Sequence, residues 1–272
     1  MPLRNRSSFS KRHALWLTAF VTACGLTAAA SMPAYAETKH HPAQAEEPQL
    51  PAIEPESIAA LTRMGDHLAS LKSFEIDTRS SMEVVDGDQK LSIEGGGTYE
   101  VQRPDRLKID FRTDSLKREF IYDGKTVTYV APNENFYATF DAPPTIKETL
   151  RDAAQKYDLS FPLADLFNWG TKDAPIDQIK EGFHVGKAYI GGQETDHWAF
   201  RGRDQDWEVW IRSEGNPVPL KLSLVDRLEP TAPRFSVELD WTETKTFPDG
   251  TFTYTPPAGA AKITFANEGA AK

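Results

Sequence analysis

Between Thr195 and Val225, in TDHWAFRGRDQDWEVWIRSEGNPVPLKLSLV, large apolar side chains recur at every second position. Trp198 and Phe200 come first, then Trp207, Val209 and Ile211, then Val218, Leu220, Leu222 and Leu224. A period of two belongs to a β-strand that turns one face to a core. Two connectors, Arg201–Asp206 and Ser213–Pro217, carry the Gly, Asp, Asn and Pro residues that reverse a chain. The stretch therefore predicts a three-stranded antiparallel meander. Three of the chain's six tryptophans lie in it, and Trp210 falls out of phase with Trp207, so both faces carry aromatic bulk. One face of such a ribbon needs a cover.

The same alternation runs through Phe74–Val84, which ends in an Asp86-Gly87 turn, and through Leu91–Val101 and Arg106–Arg112. It returns over Phe120–Phe140 with turns at Asp123-Gly124 and Pro132–Asn135, then over Val185–Ile190, Arg234–Thr242 and Gly250–Tyr254. A last extended piece ends at Phe265. Two stretches follow a helical period instead. Ile58, Leu61, Met64, Leu68 and Leu71 recur at three and four behind Pro55, a good first-turn residue. Thr145 and Glu148 form a capping box ahead of the stripe Ile146, Leu150, Ala153 and Tyr157, and a short helix is expected around Pro162–Phe167. Gly95-Gly96-Gly97 lies within a strand pattern with no helix behind it, which reads as a bulge or sharp bend rather than a phosphate cradle. The expected fold class is α+β: one domain over residues 55–265, a strongly curved antiparallel sheet forming an unclosed half-barrel, with helices covering its concave face.

Residues 1–36 read as a secretory signal peptide. Arg4, Arg6, Lys11 and Arg12 precede an apolar run from Ala14 to Ala30, and Ala34-Tyr35-Ala36 fits a cleavage site. The alternative is an outer-membrane lipoprotein anchored through Cys24, because Val21-Thr22-Ala23-Cys24 resembles a lipobox. Either way the protein is expected in the periplasm, and the only cysteine lies in the leader. Residues 37–54, with Pro42, Pro48 and Pro51 among Ala and Glu, read as a disordered linker, and 266–272 as a flexible tail. The net charge of −9 becomes four more negative once the leader is removed. That balance argues against nucleic acid and against attraction to anionic membranes, and no second apolar segment is long enough to span a bilayer.

Reactive motifs are sparse. Neither a paired-histidine zinc motif, a Gly-x-Ser-x-Gly elbow nor a dinucleotide fingerprint is present. Gly124-Lys125-Thr126 lacks the opening glycine of a nucleotide loop, since position 119 is Glu119. Asp196 and His197 are adjacent in a strand and so point to opposite faces, which keeps them from forming a general base together. Asp110 and Asp114 read as ordinary surface acids, and His40-His41 as solvated residues without a metal. No cofactor, metal or catalytic set is assigned.

Several runs together resemble a family of predicted periplasmic proteins, domain of unknown function 2092: Asp141–Ile146, Phe161–Leu166, Asp196–Arg201, Trp207–Ile211, Pro219–Lys221 and Phe252–Pro257. Arg103–Leu107 is similar to the signature of the wider lipoprotein-carrier superfamily, which includes the LolA and LolB carriers and a periplasmic sensor of envelope stress. The resemblance implies an unclosed antiparallel barrel with helices as a lid over a hydrophobic cavity, and a lipid or lipoprotein ligand. If the two helices cover a concave sheet, the candidates to line that cavity are Tyr99, Phe111, Tyr122, Trp198, Phe200, Trp207, Trp210 and Trp241. As core fillers the same residues would instead suit an interaction module that docks another envelope protein. A hydrolase is a distant third reading.

Overall fold

The computed structural model describes residues 52–265; the expected leader, nearly all of the linker and the tail lie outside the described residues. The alternating segments form one twelve-stranded sheet. In chain order these are β1 (Ser73–Asp86), β2 (Gln89–Gln102), β3 (Arg106–Thr113), β4 (Lys117–Tyr122), β5 (Thr126–Ala131) and β6 (Phe136–Asp141). The second run comprises β7 (Glu181–Ile190), β8 (Gln193–Arg201), β9 (Gln205–Arg212), β10 (Pro219–Asp226), β11 (Arg234–Thr242) and the two-residue β12 (Ala261–Lys262). Across the sheet the order is β12-β6-β5-β4-β3-β2-β1-β11-β10-β9-β8-β7. Two meanders are thus joined where β1 pairs antiparallel with β11, with Ile76 opposite Trp241 and Ser80 opposite Val237. The sheet is unclosed: β7 ends one side and β12, parallel to β6, ends the other.

Register fixes which side chains share a face. Phe74 and Ile76 on β1 stand beside Val101 and Tyr99 on β2, and these beside Leu107 and Ile109 on β3. Leu222 on β10 stands beside Val237 on β11 and Val209 on β9. This inner face is covered by α1 (Pro55–Ser70), α2 (Ile146–Tyr157) and the 3-10 turn Ala164–Phe167, and all contribute to one buried cluster. The helices begin where local chemistry permits. Pro55 occupies the first turn of α1, and Thr145 Oγ1 accepts from Glu148 N at 3.3 Å while donating to Glu148 Oε2 at 2.8 Å. The αL residue Asp158 ends α2.

Gly95–Gly97 carries no bulge. The ladder is unbroken, with Gly97 between Thr78 and Phe111. A Cβ on Gly97 would lie 1.8 Å from Asp110 O, and one on Gly96 2.3 Å from Thr78 O. Neighbouring carbonyls fill the volume that side chains would need, so only glycine fits at Gly96 and Gly97.

One expected strand is corrected. Gly250–Tyr254 forms consecutive turns, with Thr251 N donating to Pro248 O at 3.2 Å and Thr253 N to Gly250 O at 3.0 Å. Pro248 and Gly250, at φ +86°, favour turns there, and Phe252 and Tyr254 are apolar for another reason. Phe252 is buried against Phe247, and Tyr254 meets Tyr137, so the segment straps the outer face of β6. Beyond β12, Phe265 reaches Tyr129, Phe140 and Tyr157. At the other end, pairing begins just before α1: Ala52 O accepts from Gly182 N at 2.9 Å, and the Glu54 carboxylate accepts from His184 N.

Candidate functional site

Trp207 lies near the start of β9, on the inner face with Val209 and Ile211, opposite Phe200 of β8 and Leu224 of β10. Its ring stacks on Phe200 at 4.2 Å, and the Trp169 ring stands 6.0 Å away. At this end of β9 the 3-10 turn and the segment before β7 lie over the inner face. There the inner face and the covering segments leave a cleft of about 260 Å³. Trp207, Leu222 and Leu224 form its floor, and Met64, Leu166, Trp169 and Ile179 its walls. Asp165, Arg203 and Asp204 stand at the polar rim. The Glu208 carboxylate points to the outer face of β9, where His197 Nε2 at 3.0 Å and Arg234 Nη1 at 2.8 Å hold it.

Two glycines bring α1 against this cleft. Gly65 is buried in mid-helix, and its missing Cβ would stand 2.6 Å from Gly170 N. Gly170, at φ +73°, would place its own Cβ 2.1 Å from Gly65 O. The helix and the Trp169-Gly170 segment therefore meet backbone to backbone. A second tie holds α1 at its C-terminal end: Glu243 accepts from His67 Nε2 at 2.8 Å, Arg212 Nη1 at 2.8 Å and Asn216 Nδ2 at 2.7 Å. Burial works to raise the Glu243 pKa, but the hydrogen bonds from Arg212, Asn216 and His67 outweigh it and leave the carboxyl below its ordinary value.

The eight cavity candidates separate into four environments. Trp207 lines the cleft. Tyr99, Tyr122, Trp198 and Phe200 are buried in packed core, and Phe111 is partly buried against it. Burial pushes the Tyr99 phenol well above its ordinary range, partly offset by a hydrogen bond with the Leu163 backbone, while the Tyr122 hydroxyl donates to Pro143 O just before α2. Trp241 stacks on Phe74 at 5.8 Å, donates Nε1 to Pro219 O at 2.7 Å and borders a gap of only about 10 Å³. Trp210 does not face the interior. Strand alternation puts it on the outer face, stacked on His197 at 4.0 Å with Lys221 Nζ 5.4 Å from its ring centre. Sequence reasoning missed Trp169. Its signal was the density of apolar residues in FPLADLFNW, which has no strand or helix period.

Potential catalytic groups are dispersed. Asp196 accepts from Ser213 Oγ, away from His197, as alternation requires, and Asp110 meets Lys108 Nζ at 3.0 Å. Among the described residues no group of three His, Cys, Asp or Glu side chains is placed to hold a metal, and no helix is long and apolar enough to cross a membrane.

The family model described as "Predicted periplasmic protein (DUF2092)" matches residues 57–266. The chain belongs to this family. Its place is the periplasm. No curated protein matches. Among solved structures, an uncharacterized conserved protein from Thermus thermophilus is similar at 10% identity and TM-score 0.45, covering 77% of this chain and 99% of its own. LprF from Mycobacterium bovis is similar at 13% identity and TM-score 0.44, with 72% and 98% covered. A LolA superfamily protein from Nitrosomonas europaea is similar at 9% identity and TM-score 0.33, with 73% and 97% covered.

Proposed function

We propose that this DUF2092 protein is a non-catalytic periplasmic carrier or sensor that binds a hydrophobic ligand, a lipid or an acylated molecule, in the cleft at Trp207. The observation that carries the reading is the cleft itself. An opening of about 260 Å³ floored by Trp207, Leu222 and Leu224 keeps large apolar surface out of the packed core. Such surface is costly to hydrate, and a bound alkyl chain gains about 0.8 kcal/mol per buried methylene. Native mass spectrometry of gently isolated protein tests this: a lipid adduct released by organic solvent is expected, and a bare polypeptide that also fails to take up added lipid contradicts it.

A second reading, docking of another envelope protein, is favoured by one observation. The edge strand β7 exposes Phe183, Val185 and Tyr189, at 45%, 50% and 71%. Residues 52–54 pair with this edge only at Gly182 and His184, and the remaining edge with its apolar side chains is a template for an added strand. Lysine at Val185 and Tyr189 would abolish such a complex in envelope extracts and leave lipid binding intact.

A further inference from the structure

Arg103 directly follows β2, and its backbone N donates to Lys72 O at 2.7 Å. Its side chain turns to the inner face, where the guanidinium carbon lies 5.2 Å from the Phe167 ring centre and 6.0 Å from that of Phe74. It borders the small gap together with Leu68, Leu163, Leu166 and Trp241. Nε is sealed from solvent and has no acceptor. No carboxylate among the described residues pairs with the guanidinium, although the chain carries 40 Asp and Glu. Arg118, Arg201, Arg212 and Arg234 each face one.

An arginine has five N–H donors in its plane, and aromatic rings above or below that plane satisfy none of them. Burial without a counter-charge disfavours the cation, which lowers the Arg103 pKa, yet a guanidinium stays charged throughout the physiological range. The structure therefore holds a half-buried cation at an apolar wall, with its Nε–H sealed from solvent and lacking an acceptor. Planar forked donors match a carboxylate or a phosphate.

We infer that Arg103 receives the anionic head, carboxylate or phosphate, of an amphiphile whose apolar chain extends toward the cleft at Trp207. The gap at Arg103 and the cleft share Leu166, and Met64 and Leu68, one turn apart on α1, border one each. A gap of about 10 Å³ admits no chain, so loading displaces Leu166 and with it the 3-10 turn at Ala164–Phe167. This assignment rests on the hydrophobic-ligand reading and adds the head group to it.

The test compares three probes of one chain length, dodecanoate, dodecyl phosphate and dodecanol, on the parent protein, on Arg103→Met and on Arg103→Lys, by calorimetry below micelle-forming concentrations. The parent is expected to bind at least one anion about ten-fold or more tighter than dodecanol, the range of a charge-assisted hydrogen bond. The tighter of the two anions identifies a carboxylate or a phosphate head. Arg103→Met should bring the anions down to the dodecanol level without changing dodecanol, and Arg103→Lys should keep part of the preference. Equal binding of all three probes by the parent, or an anion preference that survives in Arg103→Met, overturns the role of Arg103 alone. Equal binding by the parent overturns the role without any variant, and Arg103→Gln, held to the same expectation, takes the place of Arg103→Met if that variant does not fold. Failure of the parent to bind any probe overturns the hydrophobic-ligand reading as well.

Discussion

Gly65→Ala sets two effects of known size against each other. In a helix interior alanine is favoured over glycine by up to about 1 kcal/mol. At this position the added Cβ would stand 2.6 Å from Gly170 N, 3.3 Å from Gly170 Cα and 3.3 Å from the Trp169 carbonyl carbon. All three are backbone atoms, so no side-chain rotation relieves the contact, and Gly170 is itself pressed against Gly65 O. Overpacking of this kind costs about 1–3 kcal/mol, and a 2.6 Å approach belongs at the upper end. The clash wins. The net loss is about 1–2 kcal/mol, or roughly 2–8 °C in Tm for a domain of this size. Thermal unfolding followed by circular dichroism reads it directly, with Thr62→Ala on the exposed face of α1 as the propensity control. That control should be neutral or slightly stabilising, since Thr62 is exposed and a helix accepts alanine well. Because Trp169 walls the cleft, Gly65→Ala should also weaken binding of an alkyl probe. A Tm equal to or above the parent's would show that α1 does not rest on the Trp169-Gly170 backbone.

Three further outcomes follow from the same contacts. Trp198→Ala should cost about 3–5 kcal/mol in urea unfolding, because the residue is only 7% exposed, whereas Trp207→Ala, open to the cleft on one side, should cost clearly less and change probe affinity instead. Equal costs with unchanged binding would count against the cleft. The Glu243 carboxyl lies below its ordinary value of 4.5, so its contribution to stability is complete above that pH and is lost as pH falls through the depressed folded value. Glu243→Gln should therefore flatten the acid limb of a Tm–pH profile, and an unchanged limb would remove the tie between α1 and the segment after β11. Gly97→Ala, with its Cβ 1.8 Å from Asp110 O, should lower stability by more than Gly65→Ala or prevent folding, and a well-folded variant of parental stability would show that the strands do not need this close approach.

Local order was legible in the sequence because it follows from side-chain period. The alternation in Phe74–Val84 and in the tryptophan ribbon gave strands with the faces observed, and the spacing of Ile58 to Leu71 gave α1 to within a residue. The Thr145–Glu148 box gave the start of α2. What local period does not contain is pairing between distant segments. Nothing near Ile76 announces Trp241 as its neighbour, and the join of β1 to β11 unites the two meanders. Gly250–Tyr254 alternates because Phe252 and Tyr254 pack on the outer face, and its Pro and Gly neighbours outweigh that pattern. Trp210 illustrates the opposite case, since its phase in β9 already assigned it to the face away from Trp207. The cleft itself depends on where the Phe161–Trp169 segment and Ile179 settle against β9 and β10, and an aperiodic stretch carries no rule for that.

If the cleft at Trp207 seats a hydrophobic ligand, filling the cleft should exclude that ligand. Leu222 lies in the floor and is only partly buried, so Leu222→Trp directs new volume into the opening rather than into packed core. Titration of the parent and this variant with a dansyl-labelled undecanoic acid, alongside their melting curves, is the measurement. The parent is expected to bind the probe, and the variant, with a Tm within a few degrees of the parent, to bind it about ten-fold or more weakly. Undiminished binding by a stable Leu222→Trp protein would contradict ligand binding in the cleft.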